Sequence, residues 1–234
     1  MLLNGTPVWV WICFALMLLP LTALIIAVVY GLVRPGPVAR YRAEGTRVEL
    51  WVRPNRFPAA ADVIVAPVAP DLRMPAGIAK WIRDATAGRA QEEARAAAPL
   101  APGDALLVGG ARYRFEHTAL AVVMDDQKRV SDAWIVAAIR RGLSLAASKG
   151  ATRAIVPDIT DDLLRRPQTI SDEERRATCR PIAHAIVDAI IATHGEMDTI
   201  RVWVWQEALA SVYREEMERL RDGSPQERSA AVSA

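Results

Sequence analysis

Asp158, Asp161 and Asp162 fall close together in the sequence, a density of carboxylates that could hold Mg²⁺, which takes oxygen ligands. A solvated loop rich in capping residues explains the same spacing, and we adopt that reading. His117, His184 and His194 show neither metal-ligand spacing nor an evident carboxylate partner, so they read as structural or exposed. Ser144, Ser148 and Ser171 lack the strand–turn–helix setting of a nucleophile elbow. Cys13 and Cys179 are the two cysteines; they suit neither a mutual bridge nor zinc, which fits a reducing compartment. Asp125 and Asp126 belong to a turn. The sequence therefore leads us to expect no catalytic residue, no metal and no cofactor.

The elements that carry these residues alternate. Arg47–Val52 has the period of a half-buried strand, and Asp62–Val65 reads as a short apolar strand. Ala76–Ala85 puts Ile78, Trp81, Ile82 and Ala85 on one helical face, and Ala90–Ala98 continues as helix until Pro99. Ala105–Val108 and Ala119–Met124 are two further strands. Ser131 or Asp132 opens a helix that stops at Gly150, and Ala154–Pro157 is another buried strand. Ser171 with Glu174 forms a capping box for a long helix ending near Thr193. Ile200–Trp205 is the last strand. A closing helix, Glu207 to Arg221, turns Leu209, Val212, Tyr213 and Leu220 inward. Trp134, Trp203 and Trp205 read as core or interface filler, the last two on one side of their strand. Apolar strands alternating with helices predict a three-layer α/β/α sandwich around a mostly parallel mixed sheet. Ligands in such folds bind beyond the carboxyl ends of the strands, here after Val65 and after Val156.

Ahead of this domain, residues 7–33 contain no charged side chain. That run exceeds the ~20 residues that cross a bilayer as helix. It is too long for a signal-peptide core, and a buried core helix rarely runs this far with apolar residues on every face. Trp9, Trp11 and Tyr30 stand at its ends, and Pro20 predicts a kink. Arg34, Arg40, Arg42 and Arg47 follow it, so the positive-inside rule predicts an extracytoplasmic N-terminus and a cytoplasmic domain. The expected layout is residues 1–6 outside, a transmembrane helix over 7–33, a linker over 34–39, the folded domain over 40–221, and a flexible tail over 222–234. With a net charge of +2 and mixed signs, no nucleic-acid footprint stands out. The arginines after the run are read as solvated surface rather than lipid contacts.

Several stretches carry a resemblance to a known family. LWVRPNRFPAAADVIVAPVAP resembles the opening strand, turn and second strand of the macro domain, the ADP-ribose-binding module. MPAGIAKWIRDATAG resembles its glycine-rich loop and following helix. RAIVPDITDDLLRRP, a helix, IRVWVW and a closing helix with Tyr213 follow the order of its second half. The resemblance spans about residues 40–221, and it implies ligand-binding positions at Asn55, Ala66, Gly77, Ile78, Asp158, Thr160 and Asp161.

Those positions depart from the family pattern. Asn55 stands in place of the adenine-binding aspartate, with a donor added and the charge removed. Ala66 and Ala69 replace two asparagines, Ala79 replaces a polar residue, and Met74, Pro75 and Ala76 replace glycines ahead of Gly77. The phosphate-cradling turn has become Ile159, Thr160, Asp161, Asp162, Leu163 and Leu164, without glycine. Arg165 and Arg166 could offset those acids by folding back. The expectation is a membrane-anchored macro-like domain with a degenerate nucleotide site, acting as a non-catalytic binding or scaffold module or as an accessory subunit of a membrane assembly. Its expected partners are the lipid bilayer and other membrane-protein subunits. The alternatives are a tethered reader of ADP-ribose or a related nucleotide and, last, an ADP-ribosyl hydrolase.

Overall fold

The computed structural model describes residues 18–20, 22, 36–43, 45–52, 61–111, 114–163, 170–193 and 195–222. The chain divides into two units, Met1–Gly36 and Pro37–Ala234. In the first, residues 18–20 and 22 are helical, and the Thr22 hydroxyl donates to the Leu18 and Leu19 carbonyls at 3.0 and 2.9 Å. Among the described residues no helix is long and apolar enough to cross a membrane. The predicted span over 7–33 lies outside the described residues, apart from those four positions.

The second unit is built on a sheet ordered β1-β2-β7-β6-β3-β5-β4. Its strands are β1 (Ala39–Ala43), β2 (Thr46–Val52), β3 (Val63–Val68), β4 (Ala105–Gly109), β5 (His117–Val122), β6 (Arg153–Pro157) and β7 (Thr199–Val204). The five inner strands run parallel, and β1 and β4 pair antiparallel at the two edges. The helices are α1 (Gly77–Ala85), α2 (Arg89–Ala97), α3 (Asp132–Ala147), a short α4 (Thr160–Leu163), α5 (Asp172–Thr193) and α6 (Ala210–Asp222). A 3-10 turn, Glu207–Leu209, precedes α6. The predicted three-layer arrangement with a mostly parallel mixed sheet is therefore present.

Both sheet faces are buried, for different reasons of sequence. Val48, Leu50, Ile200, Val202 and Val204 alternate toward the layer of α3, α5 and α6. Ile64, Ala66, Leu120 and Ile155 point the other way, against Ile78 and Ile82 of α1 and Ala90 and Ala94 of α2. Alanines among these residues let the helices approach the sheet closely. Gly142 of α3 is one such point: an added Cβ would lie 3.0 Å from the Ala119 methyl.

Several boundaries differ from the sequence reading. β1 begins at Ala39, where a linker was expected, because Tyr41 reaches the core and its hydroxyl donates to the Arg214 carbonyl at 3.4 Å. β3 runs on to Val68 through Pro67, with all six residues buried. β7 ends at Val204, leaving Trp205 just beyond it. The long helix does start at the predicted box, with the Glu174 amide donating to Ser171 Oγ at 3.2 Å. Ser131 precedes α3 without a side-chain capping bond. Leu209, Val212, Tyr213 and Leu220 are all buried, as their spacing required.

Candidate functional site

The carboxyl ends of β3 and β6 open onto two loops. The first, 69–76, is closed by contacts that the sequence did not advertise. Leu72 takes a positive φ of 53° and is fully buried. Gln91, reaching from α2, donates from Nε2 to the Leu72 carbonyl at 3.1 Å and accepts the Met74 amide at 2.8 Å. Arg83 of α1 donates to the Met74 carbonyl at 3.1 Å. Met74, placed where the resemblance has glycine, is itself buried. A lone glutamine in an alanine-rich helix gives no sequence signal for such a role, so Gln91 was missed.

The second loop begins at Asp158, whose amide donates to the Trp203 carbonyl at 2.7 Å and so prolongs the sheet. Its carboxylate turns inward. It accepts the Tyr213 hydroxyl at 2.8 Å, the Thr160 hydroxyl at 2.6 Å and the Thr160 amide at 3.2 Å. Asp158 and Thr160 are buried, which corrects the expectation of a solvated loop. Burial, then the Asp158 charge, then neighbouring Cys179 hold the Tyr213 phenol well above its ordinary value of 10.0. Ile159 is buried beside Val65, Val156 and Pro157, so an apolar seam lies beneath the strand ends.

The two loops meet at Gly77. Its φ is +56°, a conformation that favours glycine. A Cβ there would collide with the Asp162 carboxylate, which fills that space. The arrangement places a carboxylate of the second loop over the first residue of α1.

The predicted positions thus separate. Gly77 and Asp162 come together, and Asp158 and Thr160 form one buried cluster with Tyr213. Ala66 is fully buried in mid-strand, paired with Leu120, and Ile78 is buried against the core. Asp161 lies in α4, its side chain outside the described set, and Asn55 and His194 lie outside the described residues. No group of three His, Cys, Asp or Glu suited to a metal occurs among the described residues. His184 does have carboxylate partners, contrary to the sequence reading: Glu216 Oε2 at 2.9 Å from Nδ1, and Asp188 at 3.5 Å from Nε2. Glu216 comes from α6, across the helix interface, where sequence spacing could not reveal it.

No protein-family model matches this sequence, and no curated protein does. Solved structures do match in shape. A macrodomain of Oceanobacillus iheyensis with ADP superposes with a TM-score of 0.60 at 16% identity, covering 79% of this chain and 96% of that one. A mutant of that macrodomain with ADPR gives 0.59 at 15%, covering 79% and 98%. The Trypanosoma brucei macrodomain in complex with ADP gives 0.56 at 15%, covering 78% and 77%. The fold is that of a macrodomain. On this macrodomain fold the two loops beyond the strand ends approach each other where the Asp162 carboxylate lies against Gly77.

Proposed function

We propose that this chain is a membrane-anchored, macro-like domain that acts as a non-catalytic binding or scaffold module in a membrane assembly. Fold alone does not assign function, so the reading rests on the loops. One observation carries it: the Asp162 carboxylate lies against Gly77, at the exposed start of α1. A diphosphate approaching that backbone would meet a carboxylate of like charge, an opposition that strengthens as water is excluded. The second loop also lacks glycine, so its amides are not free to form a cradle of positive-φ residues. The anchor reading draws on the charge-free run over 7–33, and the arginines that follow it favour a cytoplasmic domain.

The competing reading is a tethered ADP-ribose reader, drawing on the ADPR and ADP present with the Oceanobacillus iheyensis macrodomain. Titrating the detergent-solubilised full chain with ADP-ribose in a calorimeter separates the two. The scaffold reading expects no saturable heat up to about millimolar ligand, the weak end of specific binding. Saturable heat below that concentration would establish the reader instead. Release of ADP-ribose from a modified protein would make the chain a hydrolase and refute both.

A further inference from the structure

The edge hairpin carries more positive than negative charge on one face. In the β1–β2 register Arg42 lies directly opposite Arg47, and Arg40 opposite Glu49. Directly opposed residues share a sheet face, and like charges so placed destabilise the pair. Arg40, Arg42 and Arg47 are all exposed on this face, while Tyr41 and Val48 turn to the core. Glu49, the acid opposite Arg40, is shared among Arg40, Arg201 and the Trp51 indole. It lies 3.9 Å from Arg40 and 3.3 Å from Arg201 and accepts the Trp51 indole N–H at 3.0 Å. The same face continues into Trp51, stacked on Trp203 at 6.1 Å with Arg201 5.7 Å from the Trp51 ring.

We infer that the arginine face of the β1–β2 hairpin, with Arg40, Arg42 and Arg47, docks on an anionic lipid headgroup layer. This rests on the anchored reading above. Residues 34–38 alone separate the charge-free run from β1. That length reaches at most ~20 Å, so an anchored chain holds the hairpin within a short distance of the bilayer. Arg34 adds a further cation in that tether. The cytoplasmic leaflet is the anionic one, and its attraction fades within a Debye length, so three arginines at short range act where the field is strong. Opposed arginines that repel each other in the free domain are relieved when phosphates come between them.

Hydrogen exchange of the full chain in nanodiscs tests this, comparing discs of neutral lipid with discs carrying about a third anionic lipid. Amides of residues 39–52 are expected to exchange about fivefold or more slowly in anionic discs, the occupancy change that even one arginine supports. That protection should vanish in the R40Q/R42Q/R47Q variant and weaken in the unaltered protein at high salt. Equal exchange in both lipids, with the protein firmly in the discs, would overturn the docking face and leave the anchor standing. Failure to enter the discs at all would overturn the anchor and this inference with it. Stronger protection by added RNA in neutral discs would assign the face to nucleic acid and overturn the lipid.

Discussion

Two carboxylates sit at opposite ends of the same pair of strands, and they are held by opposite means. Asp62, at the entrance to β3, accepts the Thr152 amide and hydroxyl at 2.9 and 3.1 Å, and the Arg153 amide at 2.9 Å, all at the entrance to β6. The Arg153 guanidinium closes on it at 2.6 Å. Partial burial works against its charge, yet the Arg153 and backbone bonds prevail and lower its pKa to about 2. Asp158, beyond the exit of β6, instead accepts the neutral hydroxyls of Thr160 and Tyr213. One end of the sheet is locked by an ion pair between neighbours, and the other by a phenol delivered from the last helix. The contrast teaches that the exit of β6 carries its carboxylate inward, into the core beside Tyr213, while the entrance holds its carboxylate nearer the surface.

The largest expected effect sharpens the Tyr213 end. Tyr213→Ala removes a fully buried ring and should cost about 4 kcal/mol in urea unfolding. Tyr213→Phe keeps the ring and should cost about 2 kcal/mol through the lost bond to Asp158. No loss for Tyr213→Phe would show that the hydroxyl contributes nothing, and equal losses for the two variants that the ring adds nothing to it.

Opposite pH limits follow. Asp62 has a folded pKa below its unfolded value of about 4, so its stabilisation of about 2 kcal/mol is complete above that value and is lost as pH falls toward 2. Asp62→Asn should flatten the acid limb of the stability curve. Tyr213 has a raised pKa, so its contribution holds below about pH 10 and declines as pH rises beyond it, where the unfolded chain ionises. Tyr213→Phe should flatten the alkaline limb only. An acid limb unchanged by Asp62→Asn would break the comparison.

Gly77→Ala should cost about 1–2 kcal/mol through its positive φ and the collision with Asp162. Pairing it with Asp162→Ala should recover part of that loss, leaving the φ strain. Full additivity in the double-mutant cycle would mean that the two loops do not touch. The smallest effect expected is Ser171→Ala, about 1 kcal/mol from the N-terminus of α5, read from the thermal midpoint.

The order and type of most elements were legible, because periodicity reports which face meets the core. The run Ile78, Trp81, Ile82 and the pair Val212, Tyr213 show this well. β1 was illegible: Arg40 and Arg42 around Tyr41 give no strand signal of their own until β2 pairs with them. The site was less legible still. Asp158, Asp161 and Asp162 are nearly identical as text, yet Asp158 is buried against Tyr213 whereas Asp162 lies over Gly77. Gln91 and the His184–Glu216 pair were invisible for the same reason, their partners lying far along the chain.

Local chemistry, written in residue order, determined the alternation of strands and helices, the charge-free run before Arg34 and a second loop without glycine. These depend on side-chain period, hydropathy and backbone freedom, which need no distant partner. Only the tertiary structure decided which aspartate is buried, that Asp162 lies against Gly77, and that three arginines share one face. Those outcomes depend on strand register and helix docking, which join residues that the sequence keeps apart.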